Sequence, residues 1–296
     1  MSTLNIENAK KFGDLTAITE APDTAMLLIH DGSGVKKISA ANLKADLATL
    51  IAANKVILDK VTATGAGAHN SIYRGKNLGT EVTAAQYAAI ADGSFDDMYI
   101  GDYWVMGGVT YRIAAFDYYL RAGDTDLTTH HVTVVPDNSL YTHMMNDTNI
   151  TTGGYYGSKM YTSGLTQAKT TINTAFSAAH ILTHRQYLCN AVASGRPSGG
   201  SWYNSTVELM TEQNVYGGKV FGAGNDGSSV PALYTIDKSQ YPLFAFRPDM
   251  ISNRDTFWLR DVVTAAGFAY VDYRGIASCR YASDALGVRP AFSIKS

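Results

Sequence analysis

The chain has 296 residues, enough for one sizeable core domain with an appendage and too few for three full domains. Lys and Arg total 24 against 26 Asp and Glu, a net charge of −2 that offers no basic excess for phosphate binding and disfavours a nucleic-acid partner. With 46% hydrophobic residues and 17% charged, a disordered chain is excluded, and two cysteines, Cys189 and Cys279, are too few for a disulfide framework or a four-cysteine zinc site.

The N-terminus has no apolar core of an export signal, and no run of ~18 apolar residues occurs. The expectation is a protein made in the cytoplasm with no signal peptide and no membrane span. Residues 25–38 read as a β-hairpin, two apolar runs around Asp31-Gly32-Ser33-Gly34. Ser39 is placed to cap a helix from about Ala40 to Val61. The seam of that helix is Leu43, Leu47, Leu50, Asn54, Ile57 and Val61, a heptad spacing with Asn54 at an a-type position. It fits a short parallel oligomeric stalk, and it equally fits an amphipathic helix packed on its own domain. The small residues of 62–70 read as a linker.

Thr83 caps a short helix that Gly93 stops. Two β-rich runs around Gly107-Gly108 predict a hairpin, and residues 130–136 a strand ended by Pro136. Ser158 is expected to cap a helix reaching Phe176, with Leu165, Ala168, Ile172 and Phe176 on one face. Beyond it, 194–205 and 221–231 are rich in Gly, Ser and Asn and read as loops. Residues 257–263 and 287–294 close the chain as apolar runs.

Chemistry-bearing groups are sparse. His180 and His184 stand four apart, a spacing that clasps zinc on a helix, but no glutamate lies between them, and a plain polar role is the stronger reading. Glu208 and Glu212, also four apart, read as a helical pair acting on the helix dipole rather than as an acid–base couple. A calcium loop at 222–227 has too few ligands. Arg280 beside Cys279 could lower the thiol pKa, yet no partner histidine is near in sequence, so a free small side chain is favoured. No catalytic residue, metal or cofactor is assigned.

Residues 268–287 contain no Lys, Glu, Gln, Met or Trp, and the last 43 residues contain no Asn, against fifteen in the preceding 253. Tyr, Ser, Asp, Arg, Gly and Ala fill the stretch, which is the vocabulary of an adaptable binding surface and also of a half-buried, tyrosine-rich hairpin.

Residues 258–263 (WLRDVV), 265–271 and 287–294 (GVRPAFSI) resemble the C-terminus of variable proteins diversified by retroelements in gut bacteriophages and prophages, similar in kind to the major tropism determinants. The likeness extends to 101–117, 153–161 and 205–218, and so spans about 95–296. Residues 27–47 are similar to the proximal ends of phage tail-associated proteins. The resemblance implies an α+β chain whose C-terminal domain is C-type-lectin-like, with adenine-directed diversification that turns Asn codons into codons for other residues and never yields Lys, Glu, Gln, Met or Trp. The variable, ligand-binding positions it implies are Tyr270, Asp272, Tyr273, Arg274, Ile276, Ser278, Cys279, Arg280, Tyr281, Asp284 and Leu286, with Gly275, Ala277, Ala282 and Ser283 as scaffold.

Trp258, Val288, Pro290 and Phe292 are expected as buried anchors, and Arg260 and Arg289 as donors to backbone carbonyls or carboxylates. The run 198–202 (SGGSW) faintly resembles formylglycine-generating relatives of the fold, but the cysteines do not match theirs. The calcium-dependent sugar motifs of true C-type lectins are missing as well. The implied organisation is attachment and oligomerisation over 1–62, a linker and short helix over 63–94, and a ligand-display domain over 95–296. The implied partners are a host cell-surface protein or glycan, other phage tail or baseplate proteins and two further copies in a homotrimer, with the protein at the virion tail tip. A structural tail component is the alternative role, and a hydrolase of host surface polymer a weaker one.

Overall fold

The computed structural model of the chain describes residues 24, 26–30, 34–53, 65–222 and 239–296. The chain divides into two compact units, 1–62 and 63–296. In the first, β1 (Met26–His30) pairs antiparallel with β2 (Val35–Ser39), from Met26 opposite Ser39 to His30 opposite Val35. The hairpin feeds α1 (Ala40–Ala53), where Ser39 Oγ accepts the N–H of Asn42 at 3.1 Å, the expected cap. Leu43, Leu47, Leu50 and Ile51 are exposed along it. Asn54, Ile57 and Val61, the rest of the heptad seam, lie outside the described residues, as do 223–231 of the second expected loop.

The segment 63–94 belongs to the second unit rather than to a linker. His69, in α2 (Ala66–His69), is 1% exposed and stacks on Tyr99 at 4.8 Å. β3 (Asn77–Gly79) pairs in parallel with β4 (Tyr103–Met106). Thr83 caps α3 (Ala84–Ala91) in a full capping box with Gln86. Within this segment it is His69 that packs among the aromatic groups, against Phe95, Tyr99 and Phe116.

Two sheets carry the second unit. The first is six-stranded, in the order β10 (Val207–Leu209), β15 (Pro290–Ile294), β6 (Val132–Pro136), β5 (Val109–Phe116), β4, β3. Gly107 and Gly108, both at positive φ, make the two-residue turn of the β4–β5 hairpin. The second is five-stranded, in the order β13 (Ala277–Tyr281), β12 (Gly267–Val271), β11 (Phe257–Val262), β14 (Ala285–Val288), β7 (Tyr141–Met144). Consecutive strands β14 and β15 lie in different sheets, so the chain crosses between them at Arg289.

Arg289 is fully buried. Its Nε donates to Pro136 O and its Nη1 to Met250 O, each at 2.9 Å, between the rings of Phe244 and Phe257. Burial pulls its pKa down to about 10. The expected backbone-carbonyl role is the one observed. Trp258, Val288 and Phe292 are at most 2% exposed, and the Trp258 indole N–H donates to His143 O at 2.9 Å.

Four local expectations change. Ser158 accepts the N–H of Tyr161, but the turn it starts is a wide π-turn (Met160–Gly164), and α4 (Thr166–Phe176) follows with Leu165, Ala168, Ile172 and Phe176 buried as expected. The run 194–205 is mostly strand: β8 (His184–Ala193) and β9 (Arg196–Ser205) form a separate two-stranded ribbon. Its glycines are packing residues, since a Cβ on Gly200 would lie 2.4 Å from the Tyr187 ring. Glu208 sits in β10 and Glu212 in α5 (Glu212–Tyr216), so they share no helix face. His180 ends a 3-10 turn while His184 begins β8, so the two share no helix either.

Candidate functional site

The stretch singled out in the sequence is the β12–β13 hairpin and the turn after it. Ala277 to Tyr281 run antiparallel to Val271 to Gly267, and β13 is the outer strand of its sheet. The hairpin loop is organised by one carboxylate. Asp272 Oδ1 accepts the N–H groups of Arg274 and Ile276 at 2.8 and 2.9 Å, and Oδ2 accepts Arg274 Nε and Nη2 at 2.9 and 2.7 Å. Gly275 completes the loop at φ +83, where a Cβ would collide with Ser252, and its carbonyl accepts the Tyr216 hydroxyl at 3.0 Å. Burial raises the Asp272 pKa, but the hydrogen bonds from Ile276 and Arg274 outweigh it and hold the carboxyl below its ordinary range.

The eleven candidate positions therefore split. Tyr273, Ile276 and Tyr281 are 56%, 52% and 61% exposed. The Arg274 and Arg280 side chains are also exposed. Arg274 lies 5.3 Å from the Tyr273 ring centroid, which ties the two into one surface feature. Ser278, Cys279 and Asp284 are half-buried.

Three positions make contacts within the fold. Asp272 is buried because its carboxylate is used inside the loop. Tyr270 packs edge-on to Trp258 at 6.4 Å. Leu286 packs against the core because β14 is an inner strand, flanked by β11 and β7.

Cys279, Arg280, Tyr281 and Asp284 come together with Thr264 around an open concavity of about 510 Å³. Arg280 Nε meets Asp284 Oδ2 at 2.8 Å. The Asp284 N–H donates to Tyr281 O at 3.0 Å, closing the turn. Ala282 beneath it is fully buried and bonds on both sides: its N–H donates to Ala266 O, and its carbonyl accepts the N–H of Asn146. Asn149 Oδ1 accepts the Ser283 hydroxyl at 2.8 Å. Burial pushes the Cys279 thiol up, opposed by a hydrogen bond with Thr264, so Arg280 does not make it a thiolate nucleophile. Thr264 and Asn149 escaped the sequence reading because their contacts are long-range and leave no local pattern.

The remaining candidates are structural. Glu208 is buried and accepts from Tyr155 Oη at 2.7 Å and Ser205 Oγ at 2.5 Å. Its pKa is raised by burial, which those two bonds oppose. The Glu212 carboxylate accepts the N–H groups of Val220, Phe221 and Gly222. Arg260 Nη1 donates to the amide oxygen of Gln186 at 2.8 Å. His184 stacks on Tyr119 at 3.9 Å, and burial pulls its pKa down to about 3. Among the described residues no three His, Cys, Asp or Glu side chains gather where a metal ion could be held, and no helix is long and apolar enough to cross a membrane.

Comparison with protein families, with characterised proteins and with solved structures finds no match for this chain.

Proposed function

We propose that the protein is a tail-associated receptor-binding protein of a phage or prophage, displaying a variable ligand-binding surface on a C-type-lectin-like domain. The observation that carries this reading is the separation of roles within one sheet. Tyr273, Ile276 and Tyr281 stand more than half exposed on the outer hairpin, while Phe257, Trp258 and Phe268 beneath them are fully buried. A scaffold that tolerates many side chains needs its varied positions free of core packing. In this reading the resemblance supplies the phage context and retroelement diversification, and diversification acts on 273, 274, 276, 280, 281 and 284 more freely than on 270, 272 and 286, which the fold uses.

The first unit attaches the protein to the tail and brings three copies together through the exposed apolar face of α1. Several copies on one particle raise the effective concentration of weak single sites at a host surface. The ligand is a host cell-surface protein or glycan. The test is a comparison of gene copies from related genomes with the DNA flanking each. Substitutions concentrated at the exposed positions, beside a reverse transcriptase gene and a near-copy template, support the reading. Uniform drift across 95–296 favours a purely structural tail component.

A further inference from the structure

Resting on the receptor-binding reading, we propose that the concavity beside β13 is a calcium-independent site for one neutral sugar ring of a surface glycan. Its volume, about 510 Å³, is that of a small-molecule site. A protein epitope would instead cover roughly 800 Å² of flatter surface. The lining chemistry fits a polyhydroxylated, uncharged ligand. Among the described residues that line the concavity, Arg280 and Asp284 are the charged ones, and they pair with each other, so this lining carries no net charge to select an anion or a cation.

Their pairing uses Arg280 Nε and Asp284 Oδ2. A guanidinium carries further N–H donors and a carboxylate a second acceptor oxygen, the two functions that vicinal hydroxyls satisfy by accepting and donating together. Tyr281, 61% exposed, offers a ring face for the C–H side of a pyranose and a phenol at its edge. The Thr264 side chain and the Cys279 thiol complete the lining. Rigidity supports the assignment. Ala282 is bonded to both Ala266 and Asn146, and Ser283 is held by Asn149, so the turn is set before a ligand arrives.

Saturation-transfer NMR on the full chain tests this, with D-glucose, D-galactose, D-mannose, L-fucose and N-acetylglucosamine each at ~10 mM in EDTA, a concentration that detects millimolar affinity. At least one sugar should receive saturation. Tyr281→Ala and Arg280→Ala should each reduce the effect roughly tenfold or more, with melting unchanged, and Tyr281→Phe should retain most of it. No transfer to any of the five, or transfer undiminished in both alanine variants, overturns the proposal.

Binding of the same variants to a panel of bacterial cells separates this failure from that of the wider reading. If Tyr281→Ala abolishes cell binding, protease treatment of the cells does too and no sugar binds, the receptor is a protein and only the sugar site falls. If neither variant changes cell binding, the receptor-binding surface has been misplaced as well.

Discussion

Trp258 and Tyr281 belong to the same five-stranded sheet and should respond oppositely to truncation. Trp258→Ala empties a fully buried indole site and orphans the His143 carbonyl, so a loss of ~3–5 kcal/mol is expected in urea denaturation. Tyr281→Ala should stay within about 0.5 kcal/mol of the parent. Equal losses would remove the distinction between frame and display. Asp272→Asn keeps the size of the side chain but gives up a carboxylate that accepts four hydrogen bonds, and the same assay should show a loss of ~1–3 kcal/mol. No loss would return Asp272 to the variable set.

His184 makes a pH prediction. Its ordinary pKa of 6.5 applies to the unfolded chain, while burial holds it near 3 in the fold. Between those values the unfolded chain binds the proton and the folded chain does not. Stability from this residue is therefore complete above pH ~6.5 and falls as the pH drops toward ~3, by up to about 1.4 kcal/mol per pH unit. Replacing it by Phe, which keeps the stack on Tyr119, should flatten the loss of stability between pH ~6.5 and ~4.5. Identical slopes for the two proteins would contradict the assignment.

Elements with local causes were legible before any coordinates. The Ser39 cap, the Thr83 cap, the Gly107-Gly108 turn and the buried face of α4 each follow from residues within a few positions of one another. Elements that depend on distant partners were not. Glycines at 199 and 200 look like loop residues until Ala191 and Tyr187 are placed across the ribbon from them. Glu208 and Glu212 look like a helical pair until Val207–Leu209 pairs with the terminal strand β15 at the edge of the six-stranded sheet. For α1, Leu43 and Leu47 are 47% and 55% exposed. In the oligomeric reading they face other copies, and Leu47→Asp should convert a trimer to monomers of 31.9 kDa in size-exclusion chromatography with light scattering. A parent protein that is monomeric at high concentration would remove the stalk.

At the largest scale, the crossing at Arg289 joins the two sheets of the second unit and couples the terminal strand to the sheet that carries the β12–β13 hairpin. The α+β class was what the resemblance implied, and a half-buried hairpin over 268–287 was one of two readings of its composition. Which of its side chains face outward was only partly readable, because Asp272, Tyr270 and Leu286 share the residue types of the exposed set and differ from it only in register and partners. Thr264 and Asn149 entered the site solely through folding.

The central claim is that exposed side chains of the β12–β13 hairpin and its following turn make the productive contacts with a cell surface. The most direct test is binding of labelled protein to a panel of bacterial cells, comparing the parent with Tyr273→Ala/Tyr281→Ala and with Arg121→Ala, an exposed control elsewhere. The double variant should melt like the parent and lose binding by roughly tenfold or more, while the control binds normally. Undiminished binding by a correctly folded double variant would contradict the account.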